Sequence, residues 1–312
     1  MALLAEYALT PGVFDVTAYT SEEVCGLHLQ ALKDVLLHEG LVRNLRSGEW
    51  VKTFDDSSRP WHQRGKELLK KLRTQQRIVL ADAAVATAPQ TDTDWCAEAL
   101  ASHSARPLAG VIATDATAVP HARNAIVSSV SKLSSAPWWA SRSPSLRLGR
   151  TLVDYEAALA PVLRHANSLI FVDPFIDPTD HHQYGDLMKL LAGLRARSVK
   201  PLVEIHRAAW YGGGNDKRPQ VNDVVAALTP AITTAARTAG LSVDVFLWDD
   251  IHDRYLITDL IGISLPYGFG TTKKPNEQTT WTRLGRDDRD AVQRDFDSAR
   301  RAPRHRFTVK GT

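Results

Sequence analysis

Three strand-length apolar runs separated by helix-length segments constrain this chain more than any other feature. Residues 168–175 (SLIFVDPF), 200–210 (KPLVEIHRAAW) and 241–249 (LSVDVFLWD) are rich in β-branched and aromatic side chains. Segments 151–166, 183–198 and 220–240 carry apolar residues at helical spacing, and Gly240 stands where a helix C-cap is expected. Two further short strands are expected over 253–259 and 261–266. Strand–helix–strand alternation of this kind predicts an α/β domain, a mixed, largely parallel sheet with helices on both faces. Polar groups at the strand ends of such sheets collect where ligands bind.

The first 126 residues read as a mainly helical region. Helices are expected over 20–42, after a Thr/Ser cap, over 59–82, running into a short strand at 78–80, and over 91–103, after a Thr/Asp cap; 107–114 reads as a buried strand. The stretch 127–149 is rich in Ser, Pro and Trp and poor in acids, which predicts a linker or lid, with Trp138 and Trp139 packed down on something because adjacent exposed indoles are costly. The expected organisation is therefore 1–126, a linker 127–149, an α/β domain 150–285, and a basic helix and tail 286–312.

Composition narrows the class. With 312 residues, 44% hydrophobic and 23% charged, the chain is ordinary for a globular protein. No apolar run approaches the ~18 residues of a membrane span, so no membrane partner is expected. Cys25 and Cys96 form no metal-binding spacing and read as reduced core thiols of a cytoplasmic protein. The net charge of +3 does not by itself imply nucleic acid, but 300–310 (RRAPRHRFTVK) holds five Lys/Arg and no acid, a tail that suits phosphates or a solvated terminus.

The chemistry-bearing pattern is in 251–259, IHDRYLITD. His252, Arg254 and Asp259 have the form H-x-R-x4-D. On an extended strand, positions 252 and 254 share a face, and an Asp just beyond the strand can turn back. An imidazole can act as nucleophile or acid/base, a guanidinium can grip non-bridging phosphate oxygens, and a carboxylate can orient the histidine.

These residues resemble the phospholipase D superfamily, whose signature is H-x-K-x4-D on a strand, often followed by a Gly-Ser-x-Asn turn. The resemblance covers roughly 145–285, and 168–177 (SLIFVDPFID) with its preceding helix is similar to the family's opening strand. It implies a phosphodiesterase, in particular a nuclease, that needs neither cofactor nor metal and works through a phosphohistidine. His252 then matches the nucleophile, Arg254 the phosphate-binding lysine and Asp259 the supporting aspartate. Arg replaces Lys here, LPYGFGTT (265–272) stands in place of Gly-Ser-x-Asn, and the motif occurs once. The family's active site uses two histidines, so an active single-motif chain implies a homodimer. Some relatives with His-Asp-Arg and one motif, the domains attached to membrane-remodelling adaptors, serve for binding. The resemblance therefore also accommodates an inactive module that binds nucleic acid, or a partner protein through the N-terminal region. A place in a defence complex is a further expectation that no residue displays.

Other residues are candidates for substrate binding. Glu204 and His206 share a strand face, and Lys217 and Arg218 follow in a glycine-rich loop; this segment reads either as a phosphate-contacting rim with a second histidine or as a loop beside a satisfied core histidine. Asp173, at a strand end, reads as a pocket wall. Asp177, Asp180, His181 and His182 could suggest a metal, but two prolines extend the loop and adjacent histidines rarely converge on one ion. The basic face of 61–73 reads as a helix covering a core, with nucleic-acid contact as its alternative.

Overall fold

A computed structural model describes residues 3–180, 183–210, 220–274 and 276–311. The chain forms two compact units, Leu3–Arg142 and Ser143 onward.

The first unit contains β1 (Ala5–Leu9), α1 (Glu22–His38), β2 (Gly40–Asn44), α2 (Glu49–Lys52), α3 (Gln63–Thr74), β3 (Ile78–Leu80), α4 (Asp92–Ala105), β4 (Gly110–Ala113), α5 (Asp115–Ala118), β5 (Val127–Ser129) and α6 (Pro137–Ala140). Helical residues outnumber strand residues, but the organising element is a five-stranded, wholly parallel sheet in the order β3-β2-β1-β4-β5. The expectation of a mainly helical region missed it because β1 and β2 are short and buried on both faces, so they lack alternation, and β5 has only three residues. Helix starts follow the caps: Ser21 accepts from the Val24 amide, and Thr91 and Asp94 form a reciprocal box. A buried ion pair, Arg43 Nε to Glu6 Oε1 at 2.6 Å, ties β2 to β1, and Arg106 reaches the same oxygen at 2.7 Å.

The expected linker is not one. Residues 127–129 form edge strand β5, and Trp138 and Trp139 pack on Tyr7 with ring centroids 5.9 and 5.6 Å away. Arg142 lies 3.7 Å over the Trp139 ring. The boundary falls at 142, and 145–149 already belongs to the second sheet. Cys25 and Cys96 are buried thiols, pushed up to about 11 and about 12 by desolvation.

The second unit contains β6 (Ser145–Gly149), α7 (Leu152–His165), β7 (Ser168–Val172), α8 (Gly185–Gly193), β8 (Leu202–Ala208), α9 (Val221–Ala239), β9 (Ser242–Trp248), β10 (Tyr255–Thr258), β11 (Gly262–Ser264), β12 (Gln278–Arg283), α10 (Arg286–Asp295) and β13 (His305–Lys310). Gly240 caps α9 at φ +65°. The eight strands run β13-β9-β8-β7-β10-β11-β12-β6. The fold is mixed α/β as expected, but parallel pairing is confined to β7, β8 and β9, and every other pair is antiparallel. The alternating pattern overestimates parallel pairing because β10 and β11 are joined by a short turn, which only antiparallel strands accept.

The basic tail is also structured. β13 closes one edge of the sheet on β9, where Arg304 pairs with Asp249 and Arg306 with Asp244 at 2.9 Å. Those arginines are engaged with the chain itself. No described helix is long and apolar enough to cross a membrane.

Candidate functional site

Because β7, β8 and β9 are parallel, the segments leaving them gather at one sheet edge. The chain after β7 turns inward at Asp173, whose side chain is fully buried. Its carboxylate accepts from the Phe175 amide at 2.9 Å, the Phe269 amide at 3.2 Å and the Tyr184 hydroxyl at 3.3 Å. Arg254 Nε approaches Oδ1 at 3.6 Å. Desolvation pushes the Asp173 carboxyl above the ordinary carboxylate range; the two amides, the guanidinium and the phenol oppose it without cancelling it.

Arg254 is held from three sides. Besides Asp173, Nη1 donates to the Pro266 carbonyl at 3.1 Å and the guanidinium lies 5.0 Å from the centre of the Phe175 ring. Arg254 opens on a cavity of about 490 Å³ that Arg150, Arg207, Phe175, Trp210 and Tyr267 also line. Arg150 lies 4.9 Å over Tyr267 and donates to the Gly270 carbonyl and to Glu277. Arg207, buried, donates to the carbonyls of Ile176 and Ala208. Asp177 and Asp180 stand in the same wall, so the cavity mixes three guanidiniums with two carboxylates. Phe175 and Tyr267 are the two strongly exposed aromatic side chains among the described residues, and both face this cavity.

The expected triad is not assembled. His252 precedes β10 in an irregular segment; its side chain is 71% exposed and Nε2 lies 2.8 Å from Asp250 Oδ1. It lines a second cavity, of about 510 Å³, with Asp253 and Tyr255. β10 begins only at Tyr255, so His252, Asp253 and Arg254 all lie in the irregular segment before it, where Arg254 lines one cavity and His252 and Asp253 the other. Asp259 lies past the opposite end of β10, where it accepts from the amides of Asn167 at 2.9 Å and Ser168 at 3.3 Å. The five residue steps from Arg254 to Asp259 span about 17 Å of extended chain, so Asp259 anchors the start of β7 and does not turn back to the histidine.

Glu204 and His206 share a face, as alternation predicts, with Nε2 3.0 Å from Glu204 Oε2. The Trp248 indole donates to Nδ1 at 3.1 Å, which leaves the Nε2–H tautomer to donate to Glu204. The ring is stacked on Phe246 at 4.6 Å, and burial lowers its pKa. His206 is a satisfied core histidine and points away from the face taken by its neighbour Arg207. It is therefore not a second histidine beside Arg254. Lys217, Arg218, His181 and His182 lie outside the described residues. No described cluster of His, Cys, Asp and Glu could hold a metal ion.

Sequence reasoning passed over Arg207, Arg150 and Gly268. Arg207 carried a signal, a charge inside an apolar strand; Arg150 carried none.

No protein-family model matches this chain, and no curated protein matches it. Among solved structures, the chain is similar to TrmBL2, an archaeal chromatin protein whose structure shows a novel mode of DNA binding, at 10% identity over 78% of this chain and 82% of that one. The TM-score is 0.30, too low to carry an argument about this chain.

Proposed function

We propose that the second unit is a phospholipase D-like module that recognises the phosphate of a nucleotide or of single-stranded nucleic acid, without turnover. The observation that supports this reading is the cavity in which Arg254, set by Asp173, meets Arg150, Arg207 and the two exposed aromatic rings. Guanidiniums match phosphate oxygens, aromatic faces stack bases of any sequence, and carboxylates such as Asp177 and Asp180 accept from sugar hydroxyls. The geometry of the motif supports a reading without turnover: His252 and Arg254 line different cavities and Asp259 reaches neither. A binding module needs no second histidine and hence no homodimer. A cytoplasmic setting belongs to the same proposal and rests on two buried free thiols.

The test is fluorescence anisotropy with labelled single-stranded DNA and RNA in EDTA across a salt series, for wild type and Arg254→Gln, with the same samples run on a gel. Salt-sensitive binding that weakens at least about tenfold in the variant, with intact probe, is the expected result. Cleavage that persists in EDTA and disappears in His252→Ala would replace this reading with the phosphohistidine phosphodiesterase.

A further inference from the structure

The cavity that takes His252 has its own walls. They come from the segment 250–255, from the end of α10 and from the turn after it, and include Arg294, Arg300 and Arg301. Its floor is Phe296, whose ring sits edge-on to His206 at 5.3 Å and to Trp248 at 5.9 Å. Adjacent residues of β8 point to opposite faces, so this cavity, above His206, lies across the sheet from the one lined by Arg207.

The side chains divide into those engaged and those open. Arg301 donates to the Asp250 carbonyl at 3.0 Å and lies 5.1 Å over the Trp248 ring, which fixes it as part of the wall. Asp250 takes His252 Nε2, and Asp253 stands beside Tyr255 in the same wall. Asp295 is the remaining acid. The Arg294 and Arg300 side chains have no ion-pair or hydrogen-bond partner among the described residues, and neither does His252 Nδ1. Two uncommitted guanidiniums and one free imidazole nitrogen therefore line a single concavity over a rigid aromatic floor.

We propose that this second cavity is an independent site for the terminal phosphate of a nucleotide or oligonucleotide, held by Arg294, Arg300 and His252. A phosphodiester presents two non-bridging oxygens, whereas a terminal monoester presents three, which matches the two guanidiniums and the imidazolium form of His252, whose Nε2–H faces Asp250 and whose Nδ1–H is then a donor to the phosphate. The site does not rest on the Arg254 cavity, since the two share no lining residue.

The experiment is NMR on the full chain with ¹³C-labelled histidine, the His252 ε1 resonance being identified by its loss in His252→Gln. The probes are inorganic phosphate and a dinucleotide with and without a 5′-phosphate. The expected result is a saturable shift of His252 with phosphate and with the phosphorylated dinucleotide, weakened at least about tenfold in Arg294→Gln/Arg300→Gln and unchanged in Arg254→Gln. Both variants change surface-accessible cavity residues, and an unaltered thermal midpoint shows that they fold. The proposal is overturned by the lack of a saturable shift, by equal binding of the unphosphorylated dinucleotide, or by a shift that Arg254→Gln removes and the double variant keeps. Loss of anisotropy binding in Arg254→Gln with the His252 shift intact would separate the two sites.

Discussion

Gly268 presses its α-carbon against the carboxylate of Asp173: a Cβ built at Gly268 would fall 1.9 Å from Asp173 Oδ2 and 2.9 Å from Arg254 Cδ. The backbone there has φ +61°, and this turn brings the Phe269 amide onto the same carboxylate. The glycine-rich stretch 265–272 is thus the lid over the Asp173–Arg254 pair.

Gly268→Ala should destabilise the second unit by about 2 kcal/mol or more, because left-handed backbone disfavours Ala and the methyl has no room. Urea unfolding measures it. Ligand binding at the Arg254 cavity should weaken in parallel, since Arg254 must move.

Asp173 has a folded-state pKa above its unfolded value, so the folded state holds its proton more tightly. That contribution is fully present below the unfolded pKa and is lost as pH rises through the folded one. Acidification from neutral pH should therefore stabilise wild type relative to Asp173→Asn. Paired unfolding curves at several pH values check this, and a difference that is flat or of opposite sign would remove the assignment of a strained buried acid.

His206 has the opposite sign. Its pKa is depressed by burial, so its contribution is present above about pH 6.5 and is lost as pH falls through the folded value. His206→Phe keeps the stacking but leaves the Trp248 indole N–H unpaired, costing about 1–3 kcal/mol at neutral pH. Relative to this variant, wild type should lose stability on acidification.

Trp139 should behave as a structural lock of the first unit. Trp139→Ala removes its packing on Tyr7 and its stacking with Arg142, and should cost about 3 kcal/mol or more. Differential scanning calorimetry resolves whether one transition moves while the other stays, as expected for two units with separate cores.

The amino-acid sequence determines much of this protein locally. Helix starts at Ser21 and Thr91, the stop at Gly240 and the apolar runs of β7, β8 and β9 are each set by side chains acting within a few residues, through caps, backbone freedom and strand propensity. The same locality shows that Glu204 and His206 share a face and that Arg254 serves a polar site. What it does not contain is pairing partners at long range. β1, β2 and β5 become strands of a sheet only by pairing with partners distant in the chain, and 127–142 becomes part of a core only because Tyr7 packs against the two indoles. Likewise, the motif reads as one constellation on an ideal strand, but the strand begins only at Tyr255, so His252 and Arg254 sit in irregular chain and fall to different cavities, while antiparallel pairing of β10 with β7 carries Asp259 to the far end of the strand. Arg150, Arg207 and Gly268 join Arg254 from positions 47 or more residues away or across a turn, so the Arg254 cavity is a product of tertiary structure, which alone decides which charges share a pocket.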